Sequence, residues 1–170
     1  MKRFRLLSRL LSAGMLSAML GTLAAQVAQA QRPIPFFDLK CVKRSTADHP
    51  YSTGSEDISV GRELYTSTAS ILQGTALTCR LPGGPASLRF EFAIPDNSDS
   101  PPVRIDVYVD GNQVASRTGG KGKVHTMLVD ISNGKSLALE VFCTTSCHWS
   151  TRYYFMKAQI EPGAQSPGSR

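Results

Sequence analysis

The chain reads as an all-β protein, an antiparallel β-sandwich of jelly-roll form, on three observations. Beyond residue 30, no segment of ten or more residues shows a helical apolar stripe. Seven or eight short segments instead alternate apolar and polar residues with the period of two of a half-buried strand. Clusters of Gly, Pro, Asn and Asp punctuate them at spacings that suit two packed sheets.

The elements follow in order. Residues 31–35 form an extended, proline-containing lead-in, and residues 37–43 predict a first strand. Residues 45–59 turn to Ser, Thr, Asp, Gly and Pro, which predicts a long surface loop. Ile58-Ser59-Val60-Gly61 and Leu64-Tyr65 predict a short strand, a turn and a strand. Residues 71–81 predict another, with Leu77, Cys79 and Leu81 on one face, and Pro82-Gly83-Gly84-Pro85 breaks the chain after it. Leu88, Phe90, Phe92 and Ile94 then alternate with Arg89, Glu91 and Ala93, and the polar residues 95–102 form a loop.

Residues 103–143 carry the strongest signal. Val103, Ile105, Val107 and Val109 take every second position and predict an inward face. Asp110-Gly111 supplies the left-handed backbone that a tight hairpin requires. Asn133-Gly134 predicts a second hairpin-like break, after which Leu137, Leu139 and Val141 resume the alternation. In the last strand, residues 153–160, the pattern predicts Tyr154, Met156, Ala158 and Ile160 facing in, with Tyr153 and Phe155 facing out.

Residues 1–30 have the form of a secretory signal peptide. Lys2, Arg3, Arg5 and Arg9 precede an apolar stretch that ends near Ala25, and Ala28-Gln29-Ala30 gives the small-x-small cleavage pattern. Ser12, Gly14 and Ser17 interrupt the apolar stretch, so no stable membrane insertion is expected after cleavage. Gln31, and no cysteine, directly follows the cleavage site and no arginine pair precedes it, which predicts the general secretion route without a lipid anchor. The predicted organisation is a signal peptide over 1–30, a single β-sandwich domain over 31–161 and a disordered tail over 162–170. The predicted location is extracytoplasmic, either periplasmic or secreted.

Charge and cysteine content narrow the functions. Fifteen basic and thirteen acidic residues follow position 30, a net charge of +2, so the high isoelectric point mostly reports the export signal. A nucleic-acid partner calls for a clustered basic face, and the largest local group is Lys121 and Lys123, so no nucleic-acid binding is expected. Four cysteines in an exported chain predict disulfides. Cys143 with Cys147 and Cys41 with Cys79 is the favoured pairing, while alternation also allows Cys79 with Cys143.

Several stretches resemble the NPCBM family of carbohydrate-binding modules: VGRELY (60–65), LTCRLPGGPASLRFEFAI (77–94), VRIDVYVDGNQVASR (103–117), VDISNGKSLALEV (129–141) and KAQI (157–160). Together they span residues 58–160. The resemblance implies a galactose-binding-like jelly roll and extracytoplasmic carbohydrate recognition without catalysis. The matching residues are scaffold residues, so the resemblance assigns no sugar contact.

The residues themselves nominate a site. Sugar recognition needs an aromatic face to cover the C–H side of a ring and polar groups to meet the hydroxyls. The segment Cys147-His148-Trp149-Ser150-Thr151-Arg152-Tyr153-Tyr154-Phe155 has both, making Trp149, Tyr153, His148 and Arg152 the carbohydrate-binding candidates. No cofactor is required. Asp96, Asn97 and Asp99 offer oxygen ligands of the kind calcium takes, without EF-hand spacing, and are the metal candidates. Cys143, Cys147 and His148 lack a fourth ligand for zinc. No serine lies in a nucleophile elbow, and His49, His125 and His148 are scattered, so no enzyme activity is expected. The expected partner is a glycan or polysaccharide; the competing reading is a cell-envelope protein that binds a protein partner through a strand edge.

Overall fold

A computed structural model describes residues 32–45 and 47–163. Eleven strands form among them: β1 (Ile34–Pro35), β2 (Cys41–Arg44), β3 (Tyr51–Val60), β4 (Glu63–Leu72), β5 (Thr75–Arg80), β6 (Ala86–Ala93), β7 (Val103–Val109), β8 (Asn112–Gly119), β9 (His125–Asp130), β10 (Ser136–Cys143) and β11 (Arg152–Pro162). One sheet has the order β3-β4-β11-β6-β9, with β1 added along the second half of β11. The other has the order β2-β5-β10-β7-β8, and every pairing in both is antiparallel. The predicted β-sandwich is therefore the fold.

Alternation builds the core between the sheets. Leu88, Phe90 and Phe92 of β6 meet Leu77, Cys79, Val107, Leu137, Leu139 and Val141 of the facing sheet, all buried. Phe36, in a 3-10 turn at Phe36–Asp38, is fully buried and sets its ring edge-on to Phe90 at 5.3 Å. Phe37 does the same to Phe155 at 5.7 Å, so the short lead-in is fixed by aromatic packing.

Two links are hairpins within a sheet. Asp110 and Gly111 have φ of 49° and 85°, the paired left-handed conformations whose twist matches the flanking strands β7 and β8. Gly61 and Arg62, at 63° and 71°, make the same kind of turn between β3 and β4. The Asn133-Gly134 break differs from expectation. Only Asn133 has positive φ, and β9 and β10 belong to different sheets, so this link is a corner between layers. A Cβ on Gly134 would come within 2.7 Å of Val109 and 3.0 Å of Leu81, which is why the corner needs glycine.

Other expectations are corrected by the structure. Residues 51–57, expected in a loop, join the expected short strand at 58–60 to form the long strand β3; it is an outer strand with most side chains in solvent, so a polar composition is compatible with pairing. Residues 71–81 do not make one strand, because the chain turns at Gln73-Gly74 and passes from β4 in one sheet to β5 in the other. The first predicted strand is a 3-10 turn followed by β2.

The largest correction lies in β11. Tyr153 and Phe155 are fully buried in the core, while Tyr154 and Met156 pack against a separate cluster of Ile58, Val60 and Ala93. The register with β6 shifts between Phe155 and Lys157, a bulge that inserts one residue and reverses which positions face in. Beyond it Ala158 and Ile160 do face the core. At the end of β11 Pro162 pairs with Ala86, and the Gly163 N–H donates to the Pro85 carbonyl at 2.8 Å. The expected signal peptide over 1–30 and residues 164–170 of the expected tail lie outside the described residues.

Candidate carbohydrate-binding loop

In the loop between β10 and β11, residues 144–151, the Cys143–Cys147 disulfide ties the end of β10 to the middle of the loop, directly before His148 and Trp149. The second disulfide joins Cys41 to Cys79 across β2 and β5, so the favoured pairing is the one formed, and zinc ligation by Cys143 and Cys147 is excluded. On one side the loop is anchored by the Thr144 N–H, which donates to the Pro102 carbonyl at 2.9 Å. On the other, the Gln73 N–H donates to the Thr151 carbonyl at 2.9 Å. The connections at 73–74, 95–102 and 144–151 thus share one end of the sandwich.

Trp149 projects from this loop with 64% of its surface exposed. Its ring centroid is 5.4 Å from that of exposed His148. The Ser150 N–H donates to His148 Nδ1 at 3.3 Å and the Ser150 hydroxyl to the same nitrogen at 2.6 Å. Accepting both leaves Nδ1 unprotonated, so the neutral ring carries its hydrogen on Nε2, a free donor beside an aromatic face. This is the chemistry that a sugar ring takes: apolar contact on one face and hydroxyl contacts at the rim.

The other two sugar candidates lie elsewhere. Tyr153 is fully buried, and its hydroxyl contacts Cys143 Sγ at 3.0 Å and the Pro101 carbonyl at 3.3 Å. Burial pushes its pKa up to about 12. It is a core residue and no platform, because the bulge in β11 reverses the predicted orientation. Arg152 is half-buried and donates from Nη1 to the Ser70 hydroxyl at 3.3 Å. It shares the outer side of that sheet with Tyr154, whose pKa is raised by burial and by Glu56 and is partly restored by Arg152. The sequence pattern had placed Tyr154 in the core and Glu56 in a loop.

The calcium candidates serve the backbone. Asp96 accepts from the Arg62 N–H at 3.0 Å, the Ser59 hydroxyl at 2.7 Å and the Gly61 N–H at 2.8 Å. These donors, the Arg62 amide foremost, hold its carboxyl below the usual range. The carboxylate thus locks the tip of the β3–β4 hairpin, and a cation there would displace these donors. Asn97 and Asp99 are exposed, and between them the Ser98 N–H donates to the Pro95 carbonyl at 3.1 Å. Among the described residues no group of three or more His, Cys, Asp or Glu side chains is placed to hold a metal. No helix among them is long and apolar enough to cross a membrane.

No family model and no curated protein matches the chain. Solved structures do. The CBM51-2 and INT domains of Clostridium perfringens ZmpB superpose with a TM-score of 0.64 at 14% identity, covering 77% of this chain and 32% of that one. This chain therefore spans about a third of that structure. The CBM51 module of Clostridium perfringens GH95, solved with methyl-galactose, gives 0.63 at 12% identity over 76% of this chain and 99% of the module. The tandem CBM51 modules of a family 98 glycoside hydrolase from Streptococcus pneumoniae give 0.60 at 11% identity over 77% of this chain and 47% of theirs. At such identities the likeness establishes the fold: this chain has the β-sandwich that those carbohydrate-binding modules have.

Proposed function

We propose that this protein is an extracytoplasmic, non-catalytic carbohydrate-binding protein that holds a sugar ring against Trp149, with His148 Nε2–H donating at the rim. The observation that carries the reading is an exposed tryptophan beside a histidine with a free donor, on a loop tied to β10 by a disulfide. An exposed indole on a pinned loop loses little conformational freedom on binding, and that favours even a small contact area. The shared sandwich supports it: a neighbour of this fold was solved with methyl-galactose, and the ZmpB module was also solved with GlcNAc. The two disulfides and the predicted export signal support the location.

The test is a glycan and polysaccharide array on the oxidised protein, galactosides and GlcNAc included, with and without calcium. Specific binding that Trp149→Ala abolishes, with the melting curve unchanged, is the expected result. A folded protein that binds no glycan would move the reading to a cell-envelope protein with a protein partner.

A further inference from the structure

At the opposite end of the sandwich, an open cleft of about 1210 Å³ lies against β2, β5 and the start of β10. Clefts that take small ligands run to roughly 300–1,000 Å³, so this one has room for more than one sugar-sized group. Lys40, Arg80 and Lys135 line it, and no acidic residue does. The backbone places them side by side. The Arg80 N–H donates to the Lys40 carbonyl at 3.2 Å, and the next residue, Leu81, donates to the Lys135 carbonyl at 3.0 Å. The three cations thus form a row across neighbouring chain segments, with steps of about 4.8 Å between backbones.

None of the three has a carboxylate partner among the described residues, whereas Arg44, Arg89, Arg104 and Lys157 do. The nearby acids are engaged. Asp110 accepts from the backbone N–H groups of Lys135 and Ser136, and Glu140 pairs with Arg44 at 3.4 Å. Three cations gathered in one cleft, in a chain whose net charge past residue 30 is only +2, concentrate positive charge locally. Val42, 76% exposed, and Pro82 line the same cleft.

We infer that this cleft binds an acidic polysaccharide carrying carboxylates along the chain, a polyuronide. A single phosphate would call for donors that converge on one point. A row of cations on three neighbouring chain segments, stepping by about the length of a sugar ring, instead matches charges repeated along a polymer. The exposed Val42 and Pro82 supply apolar surface for the C–H edges of the rings. The inference rests on the reading of the protein as a glycan binder but uses none of the Trp149 loop.

The experiment measures binding of polygalacturonate, neutral dextran and a DNA duplex to the oxidised protein by calorimetry at low and high salt. Lys40→Gln, Arg80→Gln and Lys135→Gln are combined in one variant. A control variant removes the same charge from β8 and the loop after it, through Arg117→Gln, Lys121→Gln and Lys123→Gln. Polygalacturonate binds at low salt, and the cleft variant weakens it by about tenfold, as expected for three screened contacts. The control variant leaves it within a factor of about two, and the cleft variant leaves the binding of neutral glycans unchanged, so failure of the tryptophan reading does not alter this result. Absence of polygalacturonate binding, an equal loss in the control, or equally tight binding of the duplex would each overturn the inference.

Discussion

The hydroxyl of Tyr153 lies 3.0 Å from Sγ of Cys143, so the disulfide that ties the Trp149 loop to β10 is seated on a core side chain. Because Cys143 has no thiol hydrogen, the tyrosine is the donor. Its pKa is pushed up to about 12 by burial. A raised pKa of this kind gives stability that is complete below the unfolded value near 10 and is lost as pH rises toward 12. Wild type should therefore lose stability between these values more steeply than Tyr153→Phe in thermal melts. At neutral pH the phenylalanine variant should be less stable by about 1 kcal/mol. Superimposable alkaline profiles would refute the placement of Tyr153.

The two disulfides should differ in weight. Cys41–Cys79 spans 38 residues and Cys143–Cys147 only 4. Loop-closure entropy then predicts a loss of about 4 kcal/mol for Cys41→Ala/Cys79→Ala and about 2 kcal/mol for Cys143→Ala/Cys147→Ala. Denaturant melts should show that order. Glycan binding at Trp149 should weaken only in the second variant, because only that bridge holds the loop.

Thr75 should be improvable. It is 1% exposed, and its hydroxyl has no hydrogen-bond partner. Thr75→Val keeps the shape and removes an unpaired buried oxygen, so it should stabilise the protein by about 1 kcal/mol in a denaturant titration. A neutral or destabilising result would indicate a partner for the hydroxyl.

Acid should act on the turns. Asp96 and Asp110 both have lowered pKa values, held down by the amides of Arg62 and of Ser136 respectively. A depressed carboxyl pKa contributes stability above the unfolded value near 3.9, and this is lost as pH falls through the folded one. Asp96→Asn and Asp110→Asn should each flatten the fall of melting temperature below pH 4 while lowering the neutral value. Parallel curves for wild type and variants would contradict these roles.

What could be read from the sequence was what is local. The β6 pattern at Leu88, Phe90 and Phe92 and the Asp110-Gly111 turn are complete within a few residues, and both appear as expected. Only the end of β3, from Ile58, was legible, because an outer strand needs no buried face and Ser52 to Asp57 reads like a loop. Trp149, a candidate platform, is exposed, whereas Tyr153 was assigned to the wrong face, since a period of two cannot register an inserted residue. The cationic row of Lys40, Arg80 and Lys135 was invisible, because strand pairing alone brings these distant positions together.

The bulge at Met156 breaks the period of two in β11 without breaking its inward face. Deleting that one residue would leave Tyr153, Phe155, Ala158 and Ile160 at every second position, with Phe155, Ala158 and Ile160 still opposite Phe92, Phe90 and Leu88 of β6, and would cost only the packing of Met156 on Ile58, Val60 and Ala93. An insertion or deletion at any other position of the strand would instead turn part of that set to solvent. Any alignment of related chains must hold the position of Met156 fixed before the positions on either side can be compared.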